Sequence, residues 1–127
     1  MTLAADVRSV LVESIDKLNG VAAANIHTYA IPPTDKTDDK PVFLITEISN
    51  NESRYGNNNP TGLTQQPQIQ IYYPKDYVLS MDELEISMKQ IMRQAGYLCF
   101  SDTGHSMTPD DQQMMVTMKF NHNKGEI

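Results

Sequence analysis

Apolar residues recur every three to four positions at the start of the chain. Leu3, Val7, Val10, Leu11, Ile15 and Leu18 share one stripe, with Asp6, Arg8, Glu13, Asp16 and Lys17 outside it. That period marks an amphipathic helix. It predicts a helix over residues 3–18, stopped by Asn19-Gly20, since both residues tolerate the left-handed backbone of a helix end. A second stripe, Leu84, Met88, Ile91, Met92 and Ala95, follows Ser80-Met81-Asp82-Glu83 and ends at Gly96. Serine with glutamate three residues on is a capping box. Asp82, Glu83 and Glu85 come early and Lys89 and Arg93 late, as the helix dipole favours.

Elsewhere the period is two. Residues 25–30 read as a short strand ending at Ile31-Pro32-Pro33, followed by a charged, apolar-free loop to Pro41. In Val42–Ile48, Val42, Leu44 and Ile48 point one way and Phe43 and Ile45 the other, which predicts a central strand buried on both faces. Residues 49–62, rich in Ser, Asn and Gly, read as a long loop. In the strand 63–73, Ile69, Ile71 and Tyr73 face one side and Gln66, Gln68, Gln70 and Tyr72 the other. Pro67 within it has no N–H to donate, so it predicts an edge or a bulge. Residues 97–100 and 114–120 read as two further strands joined by a polar turn.

The order α-β-β-β-α-β-β predicts an α+β two-layer sandwich, a mostly antiparallel sheet with both helices on one face. One domain spans 1–121, with 122–127 a flexible tail. If the first three strands form an antiparallel meander, the loops at 31–41 and 49–62 sit at opposite ends of the second strand. At about 3.3 Å per residue those ends are about 23 Å apart, an arrangement suited to a connector between two bodies.

Composition narrows the function classes. The chain has 127 residues, a net charge of -6 and no apolar run of membrane-spanning length. The Lys and Arg residues are scattered among acids, which argues against tracking a nucleic-acid backbone. The N-terminus lacks the basic flank and apolar stretch of a signal peptide, which places the chain in the cytoplasm. The single Cys99 forms no internal disulfide and, in Tyr97-Leu98-Cys99-Phe100, is expected to be buried in a strand.

Candidate chemistry is sparse. His27, His105 and His122 form no His-x-x-x-His pair. Asp102, His105, Asp110 and Asp111 could approach a hard cation, yet Asp-Thr-Gly and Pro-Asp-Asp are ordinary turn residues and calcium-loop spacing is absent. No catalytic, cofactor or metal set emerges, and no enzyme is expected. Of the adjacent Met114 and Met115, which must face opposite ways, one is a candidate for an adaptable contact surface. The row Gln66, Gln68 and Gln70 makes a neutral polar face, read either as plain solvent surface or as a subunit interface.

Several segments in order carry a resemblance: Tyr55-Gly56-Asn57-Asn58, Gln68-Ile69-Gln70-Ile71-Tyr72-Tyr73, Gly96-Tyr97, Asp102-Thr103-Gly104-His105 and Pro109-Asp110. Over roughly residues 5–121 the chain resembles a family of tail components of siphophages and prophages of Gram-positive bacteria. That family is itself similar to tail terminators such as that of phage lambda. The resemblance implies a virion protein, made in the bacterial cytoplasm, that caps the tail tube as a self-assembled ring, commonly a hexamer. It would then meet head–tail connector proteins. It implies no membrane and no sequence-specific nucleic acid as partner.

The expected contact elements are Asp35, Asp38 and Asp39 in the first loop, Arg54, Tyr55, Asn57 and Asn58 in the second, and Gln66, Gln68 and Gln70 on the sheet. A head-side connector of the same virion is the alternative, separable by binding to tail tubes or to empty heads. A small cytoplasmic ligand-binding module is a further one, and would need a deep polar pocket.

Overall fold

Thr2 opens the first helix: its hydroxyl accepts from the Ala5 N–H at 3.2 Å. In the computed structural model, which describes residues 2–18, 20–31, 40–56, 59–74, 77, 79–108 and 113–124 (side chains at 50–56, 59–63, 123 and 124 excepted), α1 spans Leu3–Glu13. It ends sooner than the stripe predicts. Ser14 caps it and a 3-10 turn, Ile15–Lys17, follows. Leu18 is nonetheless buried, and Gly20 turns the chain at φ +78°. Arg8 donates to the carbonyls of Ile26 and Ala23 at 2.8 and 3.1 Å, fastening α1 to the segment that enters the sheet.

Six strands form one sheet: β1 (Ile26–Thr28), β2 (Val42–Gly56), β3 (Asn59–Tyr72), β4 (Leu98–Asp102), β5 (Ser106–Met107) and β6 (Met114–Lys124). The lateral order is β1-β2-β3-β6-β4, with β5 beside β4 on the outer edge of β6. Both helices cover one face, where Phe43, Ile45, Ile69, Ile71, Met118 and Phe120 are fully buried against Leu3, Val7, Leu11, Leu84, Met88 and Met92. This is the α+β arrangement that the periodicities predict. Helix α2 (Met81–Gln94) is capped by Ser80 Oγ, which accepts from the Glu83 N–H at 3.2 Å. It closes in a Schellman motif: Gly96 N–H bonds Arg93 O, Tyr97 N–H bonds Met92 O, and Gly96 sits at φ +94°.

Four expectations are corrected. First, β1 and β2 are parallel, not two strands of a meander, with Ile26 opposite Phe43. A three-residue strand requires a return of only about 10 Å, and residues 29–41 supply the dozen or so residues a parallel crossover needs. Tyr29, at φ +69°, starts that return. Residues 40 and 41 lead into the start of β2, and the stretch from Ser49 lies at its other end. Second, residues 49–62 are not a loop. β2 and β3 stay paired out to Gly56 opposite Asn59, and the third strand of the ladder ends at Leu63 opposite Lys124. A two-stranded ribbon therefore continues about four residues, or about 13 Å, beyond the sheet.

Third, β6 does not loosen at Asn121, since 122–124 pair with β3. Fourth, Cys99 is exposed. Its strand pairs with β6 on one side only, so the apolar run Leu98-Cys99-Phe100 lies on an edge. Pro67 works as a bulge residue rather than an edge residue. β3 is central, and the register against β2 shifts between Glu47 and Ser49, opposite Pro67.

Candidate interaction surface

The alternation of β3 sorts its side chains. Gln65, Pro67, Ile69 and Ile71 point into the core and are buried; Gln66, Gln68, Gln70 and Tyr72 lie half-buried on the face that carries no helix. There they meet Leu44 and Thr46 of β2 and Met115, Thr117, Lys119 and Asn121 of β6. Side chains on this face bond across three strands. Ser49 Oγ donates to Gln66 Oε1 at 2.8 Å, Gln66 Nε2 donates to Asn121 Oδ1 at 2.7 Å, and Gln70 Nε2 reaches Thr117 Oγ1 at 3.4 Å. The Gln66 amide is thus held from both sides, and Lys119, opposite Gln68, brings a charge to the same face.

Toward the start of β2 the face turns apolar, with Val42, Leu44, Tyr72 and Met115. Burial there pushes the Tyr72 phenol up. Of the methionine pair, Met114 packs on the core and Met115 lies on the open face opposite Tyr72.

The structure thus brings Gln66, Gln68 and Gln70 together. It extends the same two strands through Arg54 and Tyr55, whose backbone belongs to the ribbon. Asp35, Asp38, Asp39, Asn57 and Asn58 lie outside the described residues.

A second polar cluster escaped the sequence reading. Glu85 is 5% exposed on α2, on the side turned to the core. Its Oε2 accepts from the Tyr73 hydroxyl at 2.5 Å and lies 2.6 Å from His105 Nε2. Burial first, then the bond to Glu85, hold the Tyr73 phenol far above its ordinary range. Tyr77 packs on Tyr73 with ring centroids 5.0 Å apart. The only sequence signal was a glutamate beside Leu84 on the apolar side of the stripe.

His105 and Asp102, grouped by the sequence as possible cation ligands, go to different partners. Asp102 pairs with Lys89 at 2.6 Å and accepts from the Gly104 N–H at 3.0 Å. Desolvation works upward on the Asp102 carboxyl, yet Lys89 and that N–H outweigh it and lower its pKa, while Asp102 raises that of Lys89. Among the described residues no three His, Cys, Asp or Glu side chains gather as metal ligands, and no helix is long and apolar enough to cross a membrane. Asp110 and Asp111 are outside that set. An open cleft of about 260 Å³ beside α2, lined by Lys17, Ser87, Gln90, Ile91 and Gln94, has one apolar side chain in its lining and lacks the apolar walls of a ligand site.

Residues 10–124 match the family described as Protein of unknown function (DUF806). No curated protein matches the chain.

Proposed function

We propose, from the premise that the chain belongs to the DUF806 family, that it is a structural subunit of a phage tail. In this reading it caps the tail tube as a self-assembled ring and presents the surface that joins the head. The observation that carries this reading is the helix-free face of the sheet, with its row of amides, Gln66 bonded on both sides, running into the β2–β3 ribbon. Uncharged groups already bonded to one another can enter an interface without the cost of stripping water from charges. A ribbon that leaves the sheet can reach a neighbour that the body does not touch. The motif resemblance to siphophage tail components, from Tyr55-Gly56 to Asp102-Thr103-Gly104-His105, supports the tail-end assignment.

The test is sedimentation with purified tail tubes, followed by electron microscopy of the tube ends. Bound protein at one end, as a ring, is the expected result. Gln68→Lys, which puts a second cation beside Lys119 on the open face, should keep the fold and reduce tube binding at least tenfold. Tubes that neither bind the protein nor change their ends at saturating concentration would overturn the assignment.

A further inference from the structure

Among the described residues the sheet has two unpaired lateral edges, and apolar side chains collect on both. Seven large apolar side chains are exposed among the described residues. Tyr29 and Ile48 lie on the β1–β2 side at 52% and 45%; Leu98, Phe100 and Met107 lie on the β4–β5 side at 57%, 49% and 63%. Leu79 and Ile86 belong elsewhere. Monomeric proteins usually blunt such edges with charge, proline, bulges or cover; here each edge strand carries one register shift, at Ile48 and at Phe100, and the apolar side chains stay exposed at both.

On the β2 side, β1 pairs only as far as Thr28 opposite Ile45, where Tyr29 N–H bonds Ile45 O. Beyond that, no described strand pairs with that side of β2. The bulge is confined to Ile48, so Ser49–Gly56 runs on as regular strand with one open side. On the other side, β4 is bonded to β6 alone, and Leu98, Cys99, Phe100 and Asp102 are exposed.

Water bonds the N–H and C=O groups of an open strand one at a time, whereas another extended backbone pairs with the whole row. The two edges lie on opposite sides of one sheet, so they cannot pair within a chain but can pair between copies. Charge does not oppose the match. Lys89 pairs with Asp102 at the end of β4, and on the β2 side the Glu47 carboxylate accepts from the Tyr29 hydroxyl at 2.6 Å and from the Ala4 N–H at 3.0 Å. Each edge thus brings charges that already have partners in their own chain.

We propose that the open edge of β4 pairs with the open edge of β2 of a second copy, giving a continuous sheet between subunits. The contact is heterologous, one edge against a different edge, so it propagates, and it gives a ring where the rotation between copies closes. It deepens the assembly reading above and rests on it for its biological setting, though not for its geometry.

The exposed Cys99 on β4 makes the contact measurable. Ile48→Cys places a second thiol on the other edge, and a short bis-maleimide should then join copies into a ladder of dimers and higher multimers. The unsubstituted protein, with Cys99 alone, should stay uncoupled. Mixed with the Ile48→Cys/Cys99→Ser double variant it should give dimers and nothing larger. Leu98→Lys and Phe100→Lys, both at exposed positions, should leave the protein folded by circular dichroism and abolish the ladder.

Coupling of the unsubstituted protein through Cys99 pairs would overturn the proposal in favour of a symmetric contact, and absence of a ladder at millimolar protein would overturn it outright. A ladder without tail-tube binding keeps the edge pairing and removes the tail-end role. Tube binding without a ladder does the reverse.

Discussion

Replacing Tyr73 by Phe removes one oxygen from the core and shows what the buried Glu85 cluster contributes. Tyr73 is fully buried and Glu85 nearly so. The hydroxyl has two acceptors, Glu85 Oε2 at 2.5 Å and Met81 O at 3.4 Å. With one proton to give, it is committed to the carboxylate, since a 3.4 Å contact is weak. A bond to a charged acceptor contributes about 1.5–3 kcal/mol. Tyr73→Phe also leaves the carboxylate with His105, 2.6 Å away, as its remaining described side-chain partner. The expected loss is therefore about 2–3 kcal/mol, a sizeable share of the roughly 5–15 kcal/mol of a domain.

Glu85→Gln keeps the shape and an acceptor oxygen and relieves the desolvation of a charge, so it should cost only about 1 kcal/mol. The double-mutant cycle isolates the bond. Urea unfolding of the parent, the two single variants and the double variant should give a coupling of about 1.5–3 kcal/mol with unchanged m-values. Coupling below about 0.5 kcal/mol, the range of independent sites, would refute the claim that this pair is held by a charge-assisted bond.

Burial raises the phenols of Tyr72, Tyr73, Tyr77 and Tyr97. The folded state keeps protons that the unfolded state releases, so their stabilising contribution is full below about pH 10 and lost above it. Urea midpoints should fall steeply in that range, less so in Tyr73→Phe. The Lys89–Asp102 pair has the opposite shifts on its two members, lowered acid and raised base. Its contribution should be present from about pH 4 to about pH 10 and vanish outside; both side chains are about 30% exposed, so Asp102→Asn should cost no more than about 1 kcal/mol and high salt should erase the difference. Gly96→Ala should cost at least about 1–2 kcal/mol in thermal unfolding, because a left-handed Ala is strained and its Cβ would sit 3.1 Å from the His122 ring. Deleting Ile48, the extra residue of the bulge, should leave Ser49 opposite Gln66 and every distal β2–β3 pair in register, since each partner then faces one residue; amide exchange beyond the bulge should match the parent, and a rise along Ser49–Gly56 would show that the bulge itself holds the register.

Local grammar was legible and long-range pairing was not. Ser80, Glu83 and Gly96 announce both ends of α2 because caps are made within a few residues. The alternation Ile69-Gln70-Ile71 announces the faces of β3 because one face is buried. The ribbon was hidden because Ser49-Asn50-Asn51 has turn composition, while its strand character comes from β3 across the hairpin. The parallel pairing of β1 was readable only from the length of 29–41, since three residues carry no direction. Glu85 read as an early helix acid that suits the dipole, and its buried role stayed hidden because its partners, Tyr73 and His105, are 12 and 20 residues away. Of the interaction surface, the glutamine row was visible in the alternation, while the edges were not. Leu98-Cys99-Phe100 spells the same apolar run on an edge as in a centre, and only the strand order separates the two.

Strand order also sets how strongly such an edge can hold. A five-residue strand makes only a few bonds to a neighbour, each with a net contribution of about 0.5–1.5 kcal/mol. Association of two bodies costs an estimated 4–15 kcal/mol. Leu98 and Phe100 add roughly 1.5–3 kcal/mol each if fully covered, so one edge contact comes out near balance, and an isolated pair is weak enough that a covalent cross-linker, trapping each encounter, is what accumulates it at millimolar protein. Closing a ring changes the arithmetic, because the last subunit makes two contacts while losing its freedom once, and a tube end that gathers subunits reduces that loss further. Exposed apolar edges are then tolerable in the free protein, being too short to hold two copies firmly and sufficient once neighbours are aligned.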